Sequence, residues 1–301
     1  MLKRPKSAIW YELQKKRAGR VYDAVYAKYL SYVRMRRFRK VGRSVALDVD
    51  LRTFVETHLL DDQSPEAISE RLRKIARHIA YASATVIRRY VKSVYGRKIE
   101  SHRARIFKRA RRRKVSKAKL DGKRMITKRP RKINERKGIG HMEGDFIVSG
   151  KSGKGLLLVL IDRRLRKALL ERILPVSVRN VERALQRMRK RFPEIATITF
   201  DNDILFLEHK RLEKILGVRI FFCHPRSPWE KPSVENLNRW LRRYVPKSSD
   251  ISRFSRYFFA QLEAKANRRF MEVLGFYTPD EMYAKVLKRK KRPMAHSKKK
   301  K

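Results

Sequence analysis

The stretch GHMEGDFIVSGKSGKGLLLVLIDRRLRKALLERILPV, residues 140–176, decides the fold. It divides into three apolar runs separated by Gly, Ser, Lys and Arg, a composition that marks turns. The middle run, LLLVLI at 156–161, has no polar face, so it predicts a strand buried on both sides. It is far too short to cross a bilayer. Downstream the period changes. In VRNVERALQRMRKRF, Val178, Val181, Leu185 and Met188 form one stripe at helical spacing. ATITFDN then reads as a strand ending in Asp201, LEHKRLEKIL as a helix, VRIFFCHP as a strand and PSVENLNRWLRRY as a helix. Three meandering strands followed by alternating helices and parallel strands predict an α/β domain with a mixed five-stranded sheet, over residues 138–287.

Charge dominates the rest. The 301 residues carry 80 Lys+Arg against 29 Asp+Glu, a formal net charge of +51. A field of that size calls for a polyanion, and nucleic acid is the usual one. With 42% hydrophobic residues the chain is not a disordered polycation. Each Lys or Arg docked on a phosphate releases a counterion, so binding is expected to be strongly salt-dependent.

Residues 41–100 read as a small helical domain. Ser64 suits an N-cap and Pro65 the first helical position. Ile68 and Leu72 share a face. A second helix is expected from Ser83 to Tyr95. Two short helices joined tightly fit a helix-turn-helix, with Arg88, Arg89 and Lys92 on the recognition helix; an ordinary helical hairpin would leave the same pattern. Residues 1–40 read as helical, 101–137 as a basic linker and 288–301 as a basic tail. Positions 101–140 hold 18 Lys+Arg against Asp121 and Glu135.

The lone cysteine, Cys223, lies in VRIFFC and is expected to be a buried small residue. It excludes an internal disulfide and a multi-cysteine zinc site. MLKRPKSAIW lacks a secretory signal pattern, so a cytoplasmic location with no membrane partner is expected.

Three acids fall at telling places in the α/β domain. Asp145 lies within its first strand, Asp201 ends the fourth and Glu235 sits on the helix after the fifth. On that helix Val234, Leu237, Leu241 and Tyr244 can face the core. Glu235, Asn238, Arg239 and Arg242 fall at i, i+3, i+4 and i+7 on another face, where DNA could approach. Converging carboxylates can hold two divalent metals about 3.5–4 Å apart for in-line attack on a phosphodiester. Mg²⁺ suits such hard oxygen ligands. Each acid alone has a plainer reading: Asp145 on an edge strand, Asp201 opening a turn, Glu235 offsetting nearby arginines or favouring its helix N-terminus.

With these residues assembled, the chain resembles the DDE transposases of the insertion-sequence family numbered thirty. The resemblance rests on GHMEGD at 140–145, TITFDN at 197–202, HPRSPWEKPSVENLNRWLRRYVPK at 224–247 and the 33 residues between Asp201 and Glu235. It continues through NRRFMEVLGFYTPDEMYA at 267–284, and upstream through SPEAISERL, ATVIRRYV and KRPKSAIWYELQKK. It implies a ribonuclease-H-like, integrase-like catalytic core behind an all-α helix-turn-helix DNA-binding region. It also implies that the chain starts inside a first such unit, 1–40 being the remainder.

By the resemblance, Asp145, Asp201 and Glu235 are the catalytic, metal-binding triad for two Mg²⁺ or Mn²⁺ ions. His141, Glu143, Asn202, Asn236 and Asn238 are near neighbours, and Arg239 and Arg242 position DNA. The implied reaction is cleavage at element ends followed by transfer of the 3′-OH to target DNA. The implied partners are double-stranded DNA, as terminal inverted repeats and target, and further copies of the chain. Lys231-Pro232 stands where the family has an Arg-Gly pair, and Met142 where a Trp is usual. Two other readings remain open: a DNA-binding relic without chemistry, and a ribonuclease-H-like nuclease that cuts without joining.

Overall fold

The computed structural model describes residues 43–93, 95–96, 99, 122–150, 153–206, 208–225, 227–247 and 249–291, with a few isolated positions before 43. Apart from those positions, the expected 1–40 segment lies outside the described residues. So do most of the basic linker and residues 292–301 of the tail.

The first body is helical: α1 (Arg43–Leu47), α2 (Val49–Leu60), α3 (Pro65–Lys74) and α4 (Ala84–Val91). Ser64 caps α3 by accepting the Ala67 N–H at 3.2 Å, and Ser83 caps α4 through Val86 at 3.4 Å. Each satisfies a backbone donor that the first turn leaves unpaired. Ile68 and Leu72 are buried with Leu51, Val55, Leu59, Ile87 and Tyr90 in one core. The second helix of the pair ends at Val91, short of the expected Tyr95, with Lys92 as its C-cap. Gly96 folds back on it: a Cβ there would lie 2.4 Å from the Tyr90 carbonyl oxygen.

After α5 (Arg131–Asn134) the second body runs β1 (His141–Val148), β2 (Leu156–Asp162), β3 (Ala168–Ile173), α6 (Val178–Arg191) and β4 (Thr197–Phe200). It continues with α7 (His209–Leu216), β5 (Arg219–Phe222), α8 (Pro232–Leu241), α9 (Arg256–Asn267) and α10 (Pro279–Lys291). The five strands form one mixed sheet in the order β3-β2-β1-β4-β5. β1–β2 and β2–β3 are antiparallel, while β1–β4 and β4–β5 are parallel. This order, with helices on both faces, is the ribonuclease-H-like arrangement.

Strand alternation builds two cores from one run of sequence. Leu156, Leu158 and Leu160 pack with α6 and α7 on one face. Leu157, Val159 and Ile161 pack with α8 and α9 on the other. β2 is therefore apolar throughout because neither face meets water.

The edge strand β3 is sealed by α9. The Asn267 side chain accepts the Ala168 N–H at 2.7 Å and donates to the Ala168 carbonyl at 2.9 Å. Glu263 accepts the Leu170 N–H at 2.6 Å. A covered edge offers no free ladder to another chain.

One boundary moves. Residues 122–137, read from the sequence as the end of a basic linker, pack on the α/β domain. Met125 bridges to Phe222, the Arg124 carbonyl accepts the Phe222 N–H at 2.9 Å, and Ile126 and Ile133 are buried. The cations around these few apolar residues masked their periodicity. The expected tail also starts later, since α10 runs to Lys291.

The two bodies touch. Gln63 donates to the Arg268 carbonyl at 2.9 Å and accepts the Phe270 N–H at 3.0 Å. Arg71 reaches Glu281 at 2.8 Å and the Phe276 carbonyl at 3.0 Å. Its guanidinium lies 4.7 Å from the centre of the Phe270 ring. Among the described residues, no helix is long and apolar enough to cross a membrane.

Candidate active site

The site grows from β1. Glu143 and Asp145 are two residues apart, so both side chains face the layer that contains α8. Gly144, between them, faces the opposite layer. A Cβ there would lie 2.2 Å from Phe200 and 2.8 Å from Leu160, so only glycine permits this packing. β1 and β4 run parallel, with Glu143 opposite Thr199. Continued two residues, that register sets Asp201 beside Asp145.

Lys231 joins the two aspartates. Its side chain is 3% exposed, and its Nζ is 3.5 Å from Asp145 Oδ1 and 3.5 Å from Asp201 Oδ1. It also donates to the Gly144 carbonyl at 3.1 Å. Burial raises the pKa of Asp145 above the usual carboxylate value; Lys231 opposes that shift and Asp201 adds to it. Burial works against the charge on Lys231, but the two aspartates outweigh it and hold its pKa above the ordinary value.

α8 is fastened to β1 at two points. At its N-terminus, Glu143 is fully buried and accepts the N–H groups of Ser233 at 2.8 Å and Val234 at 3.1 Å. Farther along, Asn238 donates to Asp145 Oδ2 at 2.7 Å. Val234, Leu237 and Leu241 are buried as expected, joined by Trp240.

The stripe of Glu235, Asn238, Arg239 and Arg242 therefore borders Asp145. Arg239 is exposed. Arg242 donates to the Val245 and Pro246 carbonyls at 3.4 Å, and burial lowers its pKa against the pull of Asp145. Glu235 lies one turn before Asn238, partly exposed. Among the described residues no three His, Cys, Asp or Glu side chains form a group that could hold a metal. Asp145 and Asp201 share one cation, and Glu235 stands on the adjoining helix face.

Other expected neighbours divide. Asn202 braces the turn after Asp201, donating to the Cys223 carbonyl at 2.9 Å and accepting from Lys123 at 2.8 Å. His141 pairs with Thr197 at 3.0 Å at the opposite end of β1. Asn236 is exposed. The Cys223 thiol is buried, which pushes its pKa up to about 12, so it is no nucleophile. Arg88, Arg89 and Lys92 are exposed along α4, with Arg88 ion-paired to Glu66 of α3.

Sequence reasoning missed the work of Lys231. A single signal existed: a cation at a helix N-terminus opposes the helix dipole and needs a partner. It also missed Asp162, buried at the end of β2, which accepts the Gly140, Arg164 and Leu165 N–H groups at 2.6–2.9 Å.

No protein-family model matches the chain. It is 28% identical to transposase InsI for insertion sequence element IS30A of Escherichia coli (strain K12), over 93% of this chain and 76% of that one. It is 31% identical to the transposase for insertion sequence element IS4351 of Bacteroides fragilis, over 56% of this chain and 52% of that one. The chain is thus similar to insertion-sequence transposases of the IS30 type. It spans about half the length of the IS4351 relative and three quarters of the IS30A one. Among solved structures, it is similar to the catalytic core domain of BIV integrase, at 17% identity and a TM-score of 0.41, over 52% of this chain and 100% of that one.

Kinship with transposases implies a divalent metal. Two residues fit one: Asp145 and Asp201 supply hard oxygens that already converge on a shared cation, whereas Glu235 stands on the next helix face, outside that pair. Asp145 and Asp201 would hold the ion, which when bound would stabilise negative charge on phosphate oxygens.

Proposed function

We propose that the protein cleaves DNA at the ends of an insertion sequence and joins the freed 3′-OH to target DNA, with Asp145, Asp201 and Glu235 as ligands of two Mg²⁺ or Mn²⁺ ions. One observation carries this reading: carboxylates from adjacent parallel strands meet on a single buried cation. Like charges so placed repel unless a cation is held between them.

The chain's residues then have separable tasks. Arg88, Arg89 and Lys92 hold the terminal repeats through the major groove. Arg239 and Arg242 guide phosphates toward Asp145. Asn238 fixes Asp145 through Oδ2, while Oδ1 faces Lys231. Glu143 holds α8, and so Glu235, in register. In cleavage, water gives its oxygen to phosphorus and the 3′-oxygen leaves with a proton. In joining, that 3′-OH loses its proton, bonds to a target phosphorus and displaces a target 3′-oxygen. Two ends must act together, so a homo-oligomer is expected.

The test is an assay on the DNA flanking the gene, with Mg²⁺, beside Glu235→Gln. Metal-dependent nicking and joining that vanish in the variant are the expected result. Tight DNA binding without chemistry in the unaltered chain would instead make it a DNA-binding relic. Nicking without joining would make it a nuclease.

A further inference from the structure

We infer that Lys231 is a tethered competitor for the metal: its ammonium holds Asp145 and Asp201 together and has to leave them before a divalent ion takes both. The inference rests on the proposed role of the two aspartates as metal ligands and adds a control on that site.

Lys231 is not placed by its helix. It immediately precedes the first residue of α8, where the dipole disfavours a cation. Nor is it placed by solvent, since 3% exposure is rare for lysine. The contacts of its Nζ account for the position: it donates to the Gly144 carbonyl and Asp145 and forms an ion pair with Asp201. A divalent ion would seek the same carboxylate oxygens. An ammonium and a metal ion bound to the same oxygens would repel one another, and the buried lysine has little water around it to screen that repulsion.

The backbone of Lys231 is a fixed anchor. Pro232 follows it at the first helical position, and Glu143 grips the next two N–H groups. Only the four-carbon side chain is free to swing. Until displaced, Lys231 keeps the aspartates from repelling one another, and it sets a threshold metal concentration for loading.

Calorimetric titration of the full chain with Mn²⁺ tests this, comparing unaltered protein, Lys231→Met and Lys231→Gln, each also with Asp201→Asn. Binding at least tenfold tighter in Lys231→Met or Lys231→Gln, and lost with Asp201→Asn, is expected. Equal or weaker binding in both variants, still lost with Asp201→Asn, would overturn the inference and leave the metal reading standing. Binding indifferent to Asp201→Asn would overturn both.

A second measurement needs no variant. Acylation of Lys231, followed by peptide mass spectrometry, is expected to rise when Mn²⁺ saturates the unaltered chain. Unchanged acylation would overturn the inference.

Discussion

Glu143 accepts the backbone N–H of Ser233 at 2.8 Å, a bond between β1 and α8 that spans ninety positions of sequence. Val234 adds a second N–H at 3.1 Å and the Ser233 hydroxyl a third donor at 3.3 Å. Arg163 lies 3.7 Å away as the buried counter-charge. A strand thus caps the helix that carries Glu235, in the way a side chain normally caps its own helix.

Glu143→Ala removes that cap and leaves Arg163 buried without its partner. The expected cost is roughly 3 kcal/mol in urea unfolding. Glu143→Gln keeps one carbonyl acceptor and should cost about half as much. In both variants, amide hydrogen exchange at residues 233–236 should accelerate more than at β2. Uniform acceleration through the domain would show that the cap does not hold α8 locally.

These residues also mark how far the sequence could be read. The sheet was legible because β2 is apolar on both faces and β4 and β5 are bounded by turns. That Asp145 and Asp201 lie near each other was legible because β1 and β4 were read as strands of one sheet. The pairings of Glu143 with Ser233 and of Lys231 with both aspartates were not. They join distant positions without a periodic signal, and the one hint at Lys231, a cation at a helix N-terminus, is faint in a chain with 80 Lys+Arg. Met125 and Ile133 were hidden in the same way.

DNA binding by α4 should divide between its two arginines. Arg89 is exposed, whereas Arg88 is tied to Glu66. Each phosphate contact contributes about 0.9 to the slope of log K against log salt. Arg89→Ala should lower that slope by about one. Glu66→Gln should release Arg88 and tighten binding at low salt, by a few-fold at most, because exposed pairs are weak. Fluorescence anisotropy with duplex DNA across a salt series measures both. An unchanged slope in Arg89→Ala would remove that residue from the interface.

Arg71 is one of several ties between the two bodies, beside Asp61, Asp62 and Gln63. It spans Glu281, the Phe276 carbonyl and the face of Phe270. Glu281 is itself held by Thr278 at the start of α10: the Thr278 N–H donates to its carboxylate at 2.9 Å, and the Thr278 hydroxyl accepts the Glu281 N–H at 3.1 Å. Arg71→Ala should cost about 2–3 kcal/mol and uncouple the helical body from the sheet domain. Scanning calorimetry is expected to give one unfolding transition for the unaltered chain and two for the variant. A single transition at a lowered temperature would mean that other contacts suffice to couple them.

Acid should loosen the same contact through His58. Its ring lies 4.4 Å from Phe54 and 4.6 Å from Phe270, across the boundary between the bodies. Burial lowers its pKa from 6.5 to about 4; Asp61 and Glu281 oppose the shift and Arg71 reinforces it. The sign follows from linkage. Between pH 6.5 and 4 the unfolded chain takes up a proton that the folded chain refuses. The stability from keeping His58 neutral is therefore complete above pH 6.5 and is lost as pH falls toward 4. Partial exposure of the ring reduces the full effect to about 2 kcal/mol. Phenylalanine packs on the same two rings and does not titrate, so His58→Phe should lose about that much less stability than the unaltered chain between pH 7 and pH 4.5. Urea unfolding at the two pH values gives the difference directly. Equal losses in the two proteins would place the acid sensitivity elsewhere in the fold.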